Sequence, residues 1–329
     1  MGEADADALA LPDVDAIRSA QTRIAGYVHR TPVLRCRSLD SELGAELFFK
    51  AENVQKTGAF KARGASNAVL SLRDEEARRG VVTHSSGNHG AALAYAAARR
   101  AIPAYVVMPE TAPRVKQENV RRRGATIRFC APTLEARDAT CAEIERETGA
   151  TLVHPFDDPR VIAGQGTCAL ELLDESPGLD VVIAPVGGGG LLSGTSIAVK
   201  TSDPGVKVFG AEPANADDAA RSFRSGKVEP VSAATTIADG LRTTLAPRTL
   251  AAIRAHVDAI GTASEPGIVR AMRVIWERMK IIVEPSAAVP LACLIEGSLQ
   301  VQGMRVGIIL SGGNVDLDWL PWQERGASR

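Results

Sequence analysis

Lys61 stands in an unusual setting. In NVQKTGAFKARG, residues 53–64, it directly follows an aromatic residue, Phe60, lies close behind a Thr-Gly pair, and opens a helical pattern. A surface lysine needs no such surroundings. A lysine that reacts with carbonyl groups does, because its amine must be positioned and kept from water. Three loops supply further chemistry, each following a short apolar run. THSSGNHGAA, 83–92, sets two serines, a glycine and Asn88 before a helix. Free amides at a helix start bind anions, here a carboxylate, although an N-cap alone would explain one serine. PVGGGGLLSG, 185–194, has four consecutive glycines before a helix. Such a run suits a backbone wrapped closely around a phosphate, while a tight turn is the plainer alternative. It lacks the G-K-[ST] of a nucleotide P-loop, and Leu192 breaks a G-x-G-x-x-G pattern. ILSGGNVDL, 309–317, ends a buried run on Ser311, a neutral hydroxyl. A lysine beside a ring, a phosphate cup, a second anion cup and a neutral hydroxyl together suit a cofactor with an aldehyde, an aromatic ring and a phosphate. Pyridoxal 5′-phosphate (PLP) has all three.

The elements needed to position these loops can be read from periodicity. ELFFKAE, GVVTHSS, AYVVMP, TIRFCA, TLVHP, DVVIAPVGG, VKVFGAEP, IIVEP and RVGIILSGGN read as strands, separated by helical patterns, after a first helix over about 14–27. The strands are mostly continuous Val/Ile runs, as expected of strands covered on both faces. The fold class expected is therefore α/β, with two open, mostly parallel sheet lobes and the cofactor between them. The division expected is a large cofactor-binding domain of 1–79 and 154–329 and a small mobile domain of 80–153. In such sheets ligands lie at the C-terminal ends of strands, where all three loops fall.

Bulk composition narrows the partners. The 329 residues carry 38 Lys+Arg against 39 Asp+Glu, so no global field favours nucleic acid or an anionic membrane. RRRG at 121–124 reads as a solvated helix end. Five cysteines without a C-x-x-C spacing argue against a disulfide framework or a thiolate zinc site and for a reducing, cytoplasmic location. The acidic start has no signal-peptide pattern, and no apolar run has the length of a membrane span. His29, His84, His154 and His256 show no ligand spacing and read as structural.

KTGAFKARGASNA, VVTHSSGNHGAAL, VIAGQGT, PVGGGGLLSG, GAEPANADD, TIADGL and LSGGNVDL closely resemble the serine/threonine dehydratase and serine racemase family, of the tryptophan-synthase-β fold type (fold type II PLP enzymes). The resemblance runs from about residue 16 to 317. It implies that Lys61 is the Schiff-base lysine and that Phe60 packs beside the cofactor ring. Gly187, Gly188, Gly189 and Gly190 would hold the phosphate, Asn88 the ring oxygen and Ser311 the pyridine nitrogen. A hydroxyl partner leaves the ring a weaker electron sink than an aspartate would, favouring elimination over transamination. Ser85, Ser86, Gly87 and His89 would cradle the substrate carboxylate, and Ser86 would be the second catalytic residue, across the cofactor from Lys61, as in racemases. Arg137 matches a substrate-proximal arginine, although an exposed helical arginine is the alternative. Glu212, Asp218 and the Ala216 carbonyl match a divalent cation site for Mg²⁺, Ca²⁺ or Mn²⁺, although Asp217 or Asp218 could instead cap the next helix. Ala91 and Ala59 depart from the common pattern, and Ala59 lacks a hydroxyl on the phosphate side.

The activity implied is a PLP-dependent ammonia-lyase. It would convert small β-hydroxy amino acids (serine, threonine or 3-hydroxyaspartate) to a 2-oxo acid and ammonia. The rival within the family is a serine racemase with dehydratase side activity. A non-catalytic amino-acid-binding protein on the same fold is the rival from another class, and Lys61 argues against it. The resemblance also implies a homodimer with a small-molecule substrate. No regulatory domain follows the last motif, so control by isoleucine is not expected.

Overall fold

The computed structural model describes residues 10–323 except 86, 113, 232 and 233. Its strands are β1 (Val33–Leu34), β2 (Glu46–Ala51), β3 (Val81–His84), β4 (Ala104–Pro109), β5 (Thr126–Cys130), β6 (Thr151–Leu152), β7 (Val181–Pro185), β8 (Lys207–Pro213), β9 (Ala259–Ala263) and β10 (Arg305–Leu310). They form two sheets. The larger has the order β1-β2-β10-β7-β8-β9 and the smaller β5-β4-β3-β6. Every pairing is parallel except that of β1 with β2. The α/β class with two mostly parallel sheets is thus as expected.

Burial explains why these runs become strands. All five residues of β7 are buried, and successive side chains enter opposite cores. Val181 and Ile183 join one apolar cluster and Val182 and Ala184 the other, so helices cover both faces of the sheet. The smaller sheet is likewise double-faced. Val81, Val106 and Met108 pack under helix Asn88–Arg100, while Val82 and Val107 pack with Cys141 and Ile144 of helix Leu134–Thr148. Helix Lys61–Leu70 lends Ala65, Ala68 and Val69 to the smaller sheet's core. The helix that begins at Lys61 therefore packs on helix Asn88–Arg100 and shares the core of that lobe.

One strand reading needs correction, and one strand is added. IIVEP is not a strand: Ile281 to Glu284 run as irregular chain. β10 already has β2 and β7 on its two sides, so the segment cannot insert beside it. Its backbone groups are satisfied singly instead. The Ile282 carbonyl accepts from Asn53 Nδ2 at 3.0 Å, and the Glu284 amide donates to the Gly312 carbonyl at 3.0 Å. Conversely AIGTA, which is not among the strands read above, forms edge strand β9 by pairing with β8. The first helix stops at Ile24. The RRRG run closes helix Arg114–Arg121 at the surface, as expected.

Candidate active site

Lys61 is the first residue of helix Lys61–Leu70, and its Nζ donates to the Pro155 carbonyl at 2.7 Å. The Phe60 ring centroid lies 5.1 Å from the same nitrogen. Part of the lysine stem is exposed, but the amine end is enclosed, and loss of water lowers its pKa from the ordinary 10.5 to about 8. The residue before the lysine is pinned from the third loop. The Phe60 amide donates to the Ser311 carbonyl at 3.0 Å, and Ala59 bridges to Gly312. Ser311, the residue directly after β10, is 2% exposed, so its short side chain is kept from solvent.

The glycines of VIAGQGT set the spacing between the lysine and the glycine loop. A Cβ on Gly164 would stand 2.6 Å from Gly64 Cα, so helices Pro159–Glu175 and Lys61–Leu70 cross with their backbones touching. Two residues on, a Cβ on Gly166 would stand 2.8 Å from the Gly194 carbonyl oxygen, inside helix Gly190–Ser202. The lysine helix, the central helix and the helix after the glycine loop therefore stack without side chains between them at these points. Charge fixes the lysine helix from below. Arg63, fully buried, donates to both oxygens of Glu52 at 2.8 Å and both of Glu171 at 2.7 Å. Lys50, also fully buried, pairs with Glu171 at 2.9 Å.

The glycine loop is close-packed from outside. A Cβ on Gly188 would meet the Phe156 ring at 2.3 Å, and one on Gly187 would stand 2.9 Å from Leu241 Cα. Gly189 has φ +88°, a left-handed conformation that glycine adopts without strain. Gly190 starts the helix, whose first amides have no intrahelical acceptor. These are the features of an anion cradle, with backbone N–H groups and no side chains.

The polar loop after β3 faces the lysine. Ser85 Oγ accepts from the Gly87 amide at 3.2 Å, and the position of a Gly87 Cβ has no atom within 4 Å. His89 is buried, with Nε2 3.1 Å from the Val153 carbonyl and Nδ1 unpartnered. Burial, and then the charge of Lys61, hold its pKa well below the usual histidine value. Asn88 Nδ2 donates to Glu284 Oε1 at 3.0 Å, and Asn88 Oδ1 accepts from Asn314 Nδ2 at 2.9 Å. Ser86 lies outside the described residues.

The description "pyridoxal-phosphate dependent enzyme" matches residues 24–312 of the chain. The chain belongs to that family. It is 50% identical over 312 residues to the beta-hydroxyaspartate dehydratase of Paracoccus denitrificans (strain Pd 1222), covering 95% of this chain and 99% of that one. Among solved structures, serine racemase from Dictyostelium discoideum superposes with a TM-score of 0.90 at 49% identity, covering 94% of this chain and all (100%) of that one. The T.th. threonine deaminase superposes with a TM-score of 0.88 at 44% identity, covering 93% and 99%. This PLP enzyme thus lies among dehydratases and racemases of fold type II. The residues present fit the cofactor: Lys61 offers an enclosed amine, and the cradle formed by 187–190 cannot admit side chains.

Two cofactor-side neighbours escape a reading from spacing. His154 and Phe156 follow β6, and their rings meet edge to face at 4.7 Å. His154 packs in turn on His84 at 5.2 Å. His154 Nδ1 accepts from the Asp157 amide at 2.9 Å, and burial lowers its pKa to about 4. The segment VHPFDD therefore carries the Lys61 acceptor, the outer wall of the glycine loop and a neutral imidazole. Its place at a strand end was the available signal. Arg137, in helix Leu134–Thr148, is partly buried, and its Nε has no partner.

The expected cation residues also meet. Glu212 ends its side chain in the first turn of helix Asp218–Ser225, accepting from the Ala219 and Ala220 amides at 2.9 Å each. Glu212 therefore caps this helix, whereas Asp217 pairs with Arg221 at 2.8 Å. Asp218 is fully buried, and neither of its oxygens has a hydrogen-bond partner. Burial pushes the Glu212 carboxyl up to about 8 and Asp218 up to about 6. Ala216 is 2% exposed. Two orphaned carboxylate oxygens beside a second buried carboxylate fit a hard divalent cation. Among the described residues no three His, Cys, Asp or Glu side chains converge, so such an ion would take its other ligands from carbonyls or water.

Proposed function

We propose that this PLP enzyme is an ammonia-lyase that removes water from small β-hydroxy amino acids and yields a 2-oxo acid and ammonia. The observation that supports this most is the Lys61 amine, enclosed, held by the Pro155 carbonyl and lowered to a pKa of about 8. A lysine in that state is a general base near neutral pH. When bound, PLP supplies an aldehyde for the substrate amine and an electron sink for the α-carbon. Gly187, Gly188, Gly189 and Gly190 would hold its phosphate, Asn88 and Ser311 its ring, and Phe60 its flank. Ser85, Ser86, Gly87 and His89 bind the α-carboxylate through hydroxyls and helix-start amides. Lys61 Nζ takes the α-proton and passes it on to the departing β-hydroxyl, which leaves as water, and the Pro155 carbonyl retains the amine between these two roles. Hydrolysis of the dehydrated amino acid releases ammonia. Glu212, Asp218 and the Ala216 carbonyl hold Mg²⁺, Ca²⁺ or Mn²⁺. The small domain of 80–153 moves over the substrate, and the enzyme works as a cytoplasmic homodimer.

Serine racemases among the relatives favour a second activity at the same site. Racemisation needs a base on each face of the α-carbon, with Ser86 opposite Lys61. The deciding assay supplies L- and D-serine, L-threonine and the 3-hydroxyaspartate isomers, and measures both oxo acid and inverted amino acid. Absence of oxo acid from every substrate would end the lyase reading. The Ser86→Ala enzyme is expected to lose D-isomer handling while keeping more of its L-isomer dehydration. Equal loss of both would remove Ser86 from that role.

A further inference from the structure

The glycine loop has two outer walls. Phe156 forms the first: a Cβ on Gly188 would stand 2.3 Å from its ring, and one on Gly190 would stand 3.0 Å from its Cα. The second is the start of helix Pro247–His256 and the residues before it. A Cβ on Gly189 would stand 2.7 Å from Leu245 Cδ2 and 2.8 Å from Thr249 Cβ. This second wall is well fixed. Thr249 is fully buried, its Oγ1 accepts from the Ala246 amide at 3.0 Å, and its carbonyl accepts from Ser193 Oγ at 3.4 Å, inside the helix that follows the glycine loop. The first wall belongs to no regular element. Residues 153–158 connect β6 to helix Pro159–Glu175, turned by the bond from the Asp157 amide to His154 Nδ1. An ion pair spans the two walls. Asp157 directly follows Phe156, and Arg248 directly precedes Thr249. Asp157 Oδ1 and Arg248 Nε are 3.2 Å apart. The side chains are 33% and 12% exposed, so water screens the pair only in part. The contact is one of charge, because Asp157 Oδ1 accepts no aligned hydrogen bond. The charge of Arg248 acts on both Asp157 and His154, within the turn that carries Phe156.

We infer that Asp157 and Arg248 are positioning residues whose ion pair latches the two walls together and so holds the glycine run in the shape that binds the cofactor's phosphate. This rests on the reading of Gly187, Gly188, Gly189 and Gly190 as the phosphate cradle. A cradle of backbone amides has no side chains of its own to adjust, so its N–H groups converge only while the surroundings hold the loop. Glycine makes that need acute, since it has the widest backbone freedom and the most to lose on ordering. The wall at Thr249 is anchored by its helix. The turn at Phe156 has no such anchor, and the latch ties it to that helix. A loop held in shape before the ligand arrives binds with less ordering cost.

The test uses the full-length protein and the variants Arg248→Met, Arg248→Lys, Asp157→Asn and the double variant Asp157→Asn with Arg248→Met. Each is freed of cofactor and titrated with PLP and with pyridoxal, which has the ring and aldehyde but no phosphate. Arg248→Met and Asp157→Asn should each weaken PLP by roughly tenfold and pyridoxal by less than about threefold. The double variant should be no weaker than the poorer single one, because both changes break the same contact. Arg248→Lys should recover part of the loss, since a contact of charge alone tolerates an ammonium group. The holoenzymes of the two single variants should also release PLP faster on dilution. Equal weakening of PLP and pyridoxal would be the mark of a merely structural role and would overturn the proposal. So would PLP affinities within about threefold of the wild type, or tighter PLP binding in Asp157→Asn, which would make Arg248 a bare counter-charge to the phosphate. Asp157→Asn keeps the side-chain shape and decides the matter should Arg248→Met fail to fold. A wild type that binds pyridoxal as tightly as PLP would remove the cradle itself and the latch with it. A wild type that prefers PLP keeps the cradle, whatever the variants show of the latch.

Discussion

Lys61 Nζ and the Pro155 carbonyl oxygen are 2.7 Å apart, so the amine is tethered to the segment whose next residue, Phe156, walls the glycine loop. The tether is neutral. It orients the amine without the counter-charge that a carboxylate would bring, and so leaves desolvation free to lower the pKa to about 8.

A pH profile follows from that value. With the unprotonated Lys61 amine as the proposed base, the α-proton transfer step should rise with pH and level off near pH 8, falling about tenfold per unit below it. The same shift has a sign for stability. Between about 8 and the ordinary 10.5 the cofactor-free folded protein binds fewer protons at Lys61 than the unfolded chain. Its stability contribution therefore grows as pH rises through that window. Substrate α-deuterium exchange followed against pH checks the first statement. A limb still rising at pH 10 would contradict it. Lys61→Ala should lower turnover by about 10²–10⁴-fold or more.

Gly164→Ala tests the helix crossing. The new methyl would stand 2.6 Å from Gly64 Cα and 2.7 Å from the Arg63 carbonyl, both backbone atoms that cannot swing away. Separation of the helices should cost about 1–3 kcal/mol and move Lys61 relative to the glycine loop. The expected result is a lowered melting temperature together with weaker cofactor retention on dialysis. Unchanged retention would mean the crossing sets stability alone.

Arg63→Met leaves Glu52 and Glu171 buried beside a single cation, Lys50. Breaking a buried ion network on one side typically costs about 3–5 kcal/mol. A large fall in the urea midpoint is expected, with Glu52→Gln in the same background restoring part of it. No shift would show that water or rearrangement repairs the site.

The proposed cation at Glu212 and Asp218 makes chelation a test of stability. Without it the Asp218 oxygens are buried and unpaired, beside Glu212. Exhaustive chelation should lower the melting temperature, and Mg²⁺, Ca²⁺ or Mn²⁺ should restore it. In Asp218→Ala neither treatment should matter. A melting temperature indifferent to chelation in the wild type would remove the metal from this site.

Much of this protein could be read along the chain. Lys61 behind Phe60, the glycine run 187–190, the polar loop after β3 and Ser311 are each local signals, because each depends on residues adjacent in sequence. The double-faced sheets were legible for the same reason: a strand buried on both sides, such as β7, is apolar at every position. Other features depend on distant contacts and leave no such trace. The Pro155 carbonyl is a backbone atom, so no residue type announces it. The partners of Arg63 come from 11 and 108 residues away. Asp157 and Arg248 look unrelated until helix Pro247–His256 packs beside the turn after β6. IIVEP has the composition of a strand, and only the occupied sides of β10 keep it out of the sheet. Local chemistry and burial pattern are thus carried by the sequence itself, whereas the pairing of remote polar groups is decided when packing brings their backbones into register.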